Sequence, residues 1–246
     1  EPALPLAWQW NHNPDLAGWS LDARPGFLRL TPQRTDADLP AARNTLTQRT
    51  FGPTSSAGTL LDATGLKPGD CAGLALLQQR YGWIGVMTEE GSNRLVMVSG
   101  STGAATVVQS VPLAGAVVHL RADCDFRERA DTARFFYSLD GQAWQPLGEP
   151  LKMAYTLPHF MGYRFGLFSF ATRTPGGHAD FDFFRIGPAG VSEVPGAGVR
   201  TTQADPPPNP RAALNRPIVL APDDRPAFPE PPAGFDVPRA DSPHGR

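Results

Sequence analysis

Three pairs of carboxylates are the residues of this chain best able to do chemistry: Glu89-Glu90, Asp123 with Asp125, and Asp180 with Asp182. Two carboxyl groups flanking a labile bond at roughly 5–10 Å can divide acid and base work between them. The spacing here argues against that use. Adjacent side chains in a strand or turn point apart, and Glu89-Glu90-Gly91 reads as a solvated hairpin turn. Asp180 and Asp182 do share one strand face, because side chains alternate with period two. That sets two oxygen donors side by side, or leaves them to pair with Arg185 or to accept backbone hydrogen bonds. No Gly-x-Ser-x-Gly elbow is present to lift a nucleophile. His12, His119, His159, His178 and His244 lack the i, i+4 or cysteine-partnered spacing of a zinc site. The residues point to binding rather than bond cleavage.

Binding chemistry has better material. Aromatic rings pack on the apolar faces of flat ligands while amides, guanidinium groups and carboxylates meet polar edges. The pool is Trp8, Trp10, Trp19, Tyr81, Trp83, Trp144, Tyr155, Phe160 and Tyr163. Most belong to a core; Trp144 is expected to pack under its hairpin. The exposed candidates are Tyr81, in the turn Gln78-Gln-Arg-Tyr-Gly82, and the loop residues Tyr155, His159 and Phe160. Arg43, Gln48, Arg49 and Gln78 are their polar counterparts.

Short strands must position these groups. Segments 45–50, 58–63, 72–77, 83–87, 94–98, 105–111, 116–121, 133–138, 163–171 and 179–186 read as strands, each bounded by turn-forming residues. In Arg164-Phe-Gly-Leu-Phe-Ser-Phe170, Phe165, Leu167 and Ser169 face one way and Gly166, Phe168 and Phe170 the other. Apolar residues on both sides predict a central strand covered on both faces. Asp140-Gly141 between Arg134–Ser138 and Ala143-Trp144 predicts a two-residue hairpin turn. No helical period longer than about two turns is visible. So many evenly spaced strands predict an all-β sandwich of two antiparallel sheets.

Composition narrows the partners. With 22 Lys+Arg against 24 Asp+Glu, the chain lacks the basic surplus of nucleic-acid binders. No apolar run approaches the roughly 20 residues needed to span a bilayer. Cys71 and Cys124 are too few for a disulfide framework and are expected as buried free thiols ahead of a bridge. The opening Glu-Pro-Ala-Leu reads as the start of a processed or excised piece of something longer. Of 27 prolines, 12 lie in residues 201–246, an extended tail that could run along the domain surface through Ile218, Val219 and Leu220. The folded unit is expected to end near Gly187, dividing the chain into a sandwich over 1–190 and a linker over 191–246.

Several segments, taken in order, resemble the β-sandwich that follows the propeller in family 43 glycoside hydrolases (xylosidases and arabinofuranosidases). They are Trp8–Pro14, Trp19–Leu21, Arg24–Leu30, Ala42–Arg49, Ala72–Leu77, Tyr81–Gly85, Phe135–Trp144, Leu157–Phe170 and His178–Ile186. The resemblance implies a concanavalin A-like jelly roll, non-catalytic, that binds xylan or arabinoxylan or braces the catalytic domain of the same polypeptide. It implies that the acid and base carboxylates lie on the propeller, and that Leu157–Arg164, with Phe160 at its tip, is the loop reaching the propeller's rim. It also implies a structural calcium near the last strand, held by Asp180 and Asp182 with Asn13 or Asn11. The polysaccharide context implies secretion or a periplasmic location. In the tail, Arg225–Asp236 and Pro243–Arg246 resemble the leader of family 1 carbohydrate esterases (feruloyl and acetylxylan esterases), which makes 191–246 a linker toward an esterase domain.

Overall fold

Strands carry nearly all of the regular structure, as alternating and doubly apolar segments dictate. The structure is a computed structural model and describes residues 4–90, 92–100, 105–154, 156 and 161–189. All of these fall in one compact unit, Glu1–Asn215; the second, Arg216–Arg246, lies outside the described residues, as does the tail segment Ile218–Leu220.

In chain order the strands are β1 (Gln9–Trp10), β2 (Trp19–Ser20), β3 (Leu28–Leu30), β4 (Leu46–Arg49), β5 (Thr54–Asp62), β6 (Asp70–Leu77), β7 (Tyr81–Glu89) and β8 (Ser92–Gly100). There follow β9 (Thr106–Leu113), β10 (Val117–Asp125), β11 (Thr132–Ser138), β12 (Gln145–Pro146), β13 (Leu151–Lys152), β14 (Arg164–Ala171) and β15 (Ala179–Gly187). One sheet runs β1-β4-β14-β6-β7-β8-β9; the other runs β12-β11-β10-β5-β15-β3-β2, with β13 beside β11. Pairing between named strands is antiparallel throughout both sheets. The expected jelly-roll sandwich is therefore the observed architecture, and each of the ten anticipated strands is present.

The main core lies between the sheets. β5 and β10 alternate buried and half-exposed residues, so Leu61, Val118, Leu120 and Ala122 turn inward. They meet Leu74, Leu76, Ile84, Phe165 and Leu167 from the facing sheet. A second apolar cluster occupies the other face of the seven-stranded sheet, where Trp83, Val96, Val98, Phe168 and Phe170 are gathered. Leu39 and Ala42, from the segment 31–43 that crosses this face, close the cluster. The two faces predicted for β14 thus pack into two different clusters, and all eight of its residues are buried.

The hairpin after β11 departs from its prediction. Tyr137 pairs with Gln145 and Phe136 with Pro146, and six residues, 139–144, lie between the end of β11 and the start of β12 rather than two. Asp140 organises it: one carboxylate oxygen accepts hydrogen bonds from the Ser138 hydroxyl and from the Gln142 and Ala143 amides, each at 2.8 Å. Gly141 takes φ +74°, the left-handed conformation glycine tolerates. Trp144, at the end of this turn, is half-buried, with the Arg121 guanidinium 4.7 Å from its ring centre. Cys71 and Cys124 are buried free thiols, as expected.

Candidate functional site

Each predicted carboxylate pair has its own local role. Glu89 and Glu90 are exposed at the end of β7, and Glu90 pairs with Arg173 at 3.2 Å. Asp123 accepts from Ser56 at 2.6 Å and lies 3.3 Å from Arg121, while Asp125 is held by Arg127 at 2.6 Å. Asp180 is buried, its two oxygens 2.7 Å from the Nε and Nη2 atoms of Arg29, and Arg24 reaches it at 3.1 Å while holding Asp62 at 2.6 Å. Neither arginine is the anticipated Arg185. Burial pushes the Asp180 carboxyl up, but hydrogen bonds from Arg29 and Arg24 outweigh it and keep its pKa below the usual carboxylate value.

This geometry does not fit the calcium expectation. A cation seeking six to eight oxygens would face two guanidinium groups across Asp180. Asn13, the third anticipated ligand, is exposed and its backbone carbonyl accepts from Arg43 at 3.2 Å. A bulge in β15 between Phe181 and Phe184 sets Asp182 into an irregular stretch of the ladder. Among the described residues, no group of three or more His, Cys, Asp or Glu side chains is arranged to hold a metal.

The binding candidates separate. Tyr81 is a correction: it begins β7, shares the Trp83 face of the sheet and is only 3 % exposed in the cluster closed by Leu39. Its hydroxyl is buried without a hydrogen-bond partner among the described residues, and burial, helped by the charge of Asp38, pushes its pKa up to about 12. No ligand ring can stack on it. Arg43 lines a polar cleft of about 320 Å³ with Arg34, Gln33, Asp36 and Asn44, in which no aromatic ring stands. Gln48 and Arg49 sit on β4, where Arg49 is the register partner of Arg164. Arg164 is buried and donates to the Asn11 and Thr47 side chains. Tyr155, His159 and Phe160 lie outside the described residues.

Gln78 lies elsewhere, at one end of the sandwich. There a pocket of about 310 Å³ is walled by Phe51, Phe126, Met153 and Tyr163, with Gln78 as its amide and Asp131 as its charged member. Ala154, shortly before the anticipated rim loop, and Gly162, within it, also line it. Tyr163 is anchored because its hydroxyl accepts from the Ala154 amide at 3.1 Å, and its carbonyl accepts from both the amide and hydroxyl of Thr50. Phe51 is 41 % exposed on the rim. Sequence reasoning missed Phe51 and Phe126. A phenylalanine inside the turn Thr50-Phe-Gly-Pro53, where no strand needs it, was the available signal.

A row of rings and cations crosses the outer face of the eight-stranded sheet. Arg121 lies over both Phe136 and Trp144, at 4.5 and 4.7 Å, and His119 meets Trp144 and Phe183 at 6.4 and 6.2 Å. Arg185 covers Phe183 at 4.6 Å. Phe136, Trp144 and Phe183 thus each carry a guanidinium over the ring, a favourable cation–π contact.

Known proteins match this architecture. A "Beta-xylosidase" of Formosa agariphila is 29% identical over 204 residues, covering 74% of this chain and 33% of the relative. A solved bifunctional GH43-CE of Bacteroides eggerthii is 52% identical with TM-score 0.75, over 76% of this chain and 24% of that one. A GH43 glycoside hydrolase engineered for endo-xylanase and exo-arabinofuranosidase activity is 32% identical with TM-score 0.72, over 76% and 39%. The chain spans about a third or less of the curated relatives it matches, at 33% and 27% of their lengths. The family model of the β-xylosidase C-terminal concanavalin A-like domain matches residues 1–187, from before β1 to the end of β15, and the chain belongs to that family of GH43 sandwich domains.

Proposed function

We propose that this domain holds xylan or arabinoxylan beside the catalytic domain of the same polypeptide, without cleaving the polymer itself. The observation that carries this reading is the end pocket, a concave site walled by aromatic and apolar side chains with a few polar groups, the usual make-up of a small-ligand site. Family membership supplies the xylan-related context. A single module of this kind binds with only ~4–6 kcal/mol and gains from linkage through effective concentration. Such a role belongs outside the cytoplasm, secreted or periplasmic, where the polymer is met. Similarity to a bifunctional GH43-CE supports reading 191–246 as a linker toward a carbohydrate esterase domain.

A second reading, a brace for the catalytic domain, is favoured by Phe51 and Met161, both 41 % exposed. Native electrophoresis in gels containing arabinoxylan separates the two. Retardation of the chain, reduced in Phe51→Ala, supports polymer holding; migration unaffected by the polymer leaves bracing. Release of reducing sugar or acetate from xylan by the chain would refute both.

A further inference from the structure

We infer that the end pocket takes a single neutral pentose unit, with the Gln78 side-chain amide as its main hydrogen-bond donor, a step that rests on the polymer-holding reading above. Its volume of about 310 Å³ lies at the small end of ligand sites, room for one ring rather than a run of chain. A polymer would therefore enter through a side branch or a chain end. Phe51, Phe126 and Tyr163 supply ring surfaces for the C–H face of a sugar.

Gln78 gives the site its polarity. The residue is 5 % exposed, and its amide oxygen already accepts from the Gln79 amide at 2.5 Å and the Thr156 hydroxyl at 3.0 Å. Its nitrogen is buried and has no hydrogen-bond partner among the described residues. A buried donor of this kind carries a desolvation cost that a ligand oxygen removes. Asp131 also lines the pocket, and its side chain carries only acceptor oxygens when ionised.

The backbone at Asp131 is strained. Its φ is +42°, after Glu128 at +50° and Arg129 at +60°, values that non-glycine residues rarely adopt. The stretch is held by the Met153 amide on the Asp131 carbonyl at 2.7 Å and the Lys152 ammonium on the Ala130 carbonyl at 2.6 Å. Strain retained by its surroundings is characteristic of ligand-contacting positions. One carboxylate and one amide suit a hydroxylated neutral ring; an anion would meet Asp131.

The test is a titration of the ¹⁵N-labelled chain with methyl α-L-arabinofuranoside, methyl β-D-xylopyranoside and, as control, methyl β-D-glucopyranoside, following the Gln78 side-chain NH₂ signals. The expected result is a saturable shift with a Kd on the order of 1 mM for a pentoside. Phe51→Ala, at an exposed position, weakens binding about fivefold, and Gln78→Glu weakens it about tenfold or more. Response to the furanoside identifies a side branch, and response to the pyranoside a chain end. A Gln78 amide unmoved by either pentoside, or moved equally by the hexoside, overturns the inference. If arabinoxylan gels still retard such a chain, polymer holding stands and only this assignment falls. A pentoside bound at Gln78 by a chain that ignores the polymer upholds the pocket and removes the broader reading.

Discussion

Asp180 ties three strands together through two arginines, and its energetics follow from burial. Its pKa sits below the ordinary value because Arg29 and Arg24 outweigh desolvation. A depressed carboxyl pKa means that the stabilisation is complete above the unfolded value of about 3.9 and is lost as pH falls through the folded one. Asp70 runs the other way. Burial raises its pKa, so its contribution is present below the unfolded value and lost as pH rises through the folded one. Asp180→Asn is expected to lower stability at neutral pH by about 2 kcal/mol, less than for a fully buried pair because Arg24 reaches solvent. Urea unfolding at pH 7 and pH 3 checks this: the deficit should shrink at pH 3. Burial likewise pushes the Cys71 and Cys124 thiols up to about 12. Since the thiolate is the reactive form, neither should react with Ellman's reagent at pH 8 until denaturant is added.

At the scale of elements, the segment 31–43 decides which face of the seven-stranded sheet is available. Leu39 is fully buried against the Trp83 and Phe168 cluster, and Asp38 caps its short 3-10 turn by accepting from the Ala41 amide. Leu39→Ala should cost about 3 kcal/mol in urea unfolding, the usual range for an emptied aliphatic site. Gly73 on β6 faces Gly85 on β7, and a Cβ at Gly73 would stand 2.2 Å from the Ile84 carbonyl oxygen. Gly73→Ala should therefore lower the thermal midpoint markedly, because backbone rather than a movable side chain must yield. These elements also show what could be read in advance. The alternation of β14 announced its two apolar faces. Nothing in Thr31-Pro-Gln-Arg-Thr-Asp-Ala-Asp-Leu-Pro40 announced a cover, since one leucine among polar residues has no period. Tyr81 was misjudged for that reason. The turn at Asp140 was read from its glycine, whereas the Asp140 side chain, by accepting three hydrogen bonds, built a longer loop.

Taken together, the described residues form a sandwich whose fold was legible because period-two patterning and turn residues act locally. Its candidate site was only partly legible because the pocket assembles residues distant in sequence: Phe51, Gln78, Phe126 and Tyr163. Gln78 was named for its residue type, but its companions required the tertiary arrangement. The proposed ligand site therefore lies in the pocket lined by Phe51, Gln78, Phe126 and Tyr163. Calorimetric titration with an arabinoxylo-oligosaccharide tests this most directly. Saturable binding worth ~4–6 kcal/mol, weakened about fivefold in Phe51→Ala and intact in an Arg43→Ala control, is the predicted outcome; no heat of binding, or binding indifferent to Phe51, would contradict it.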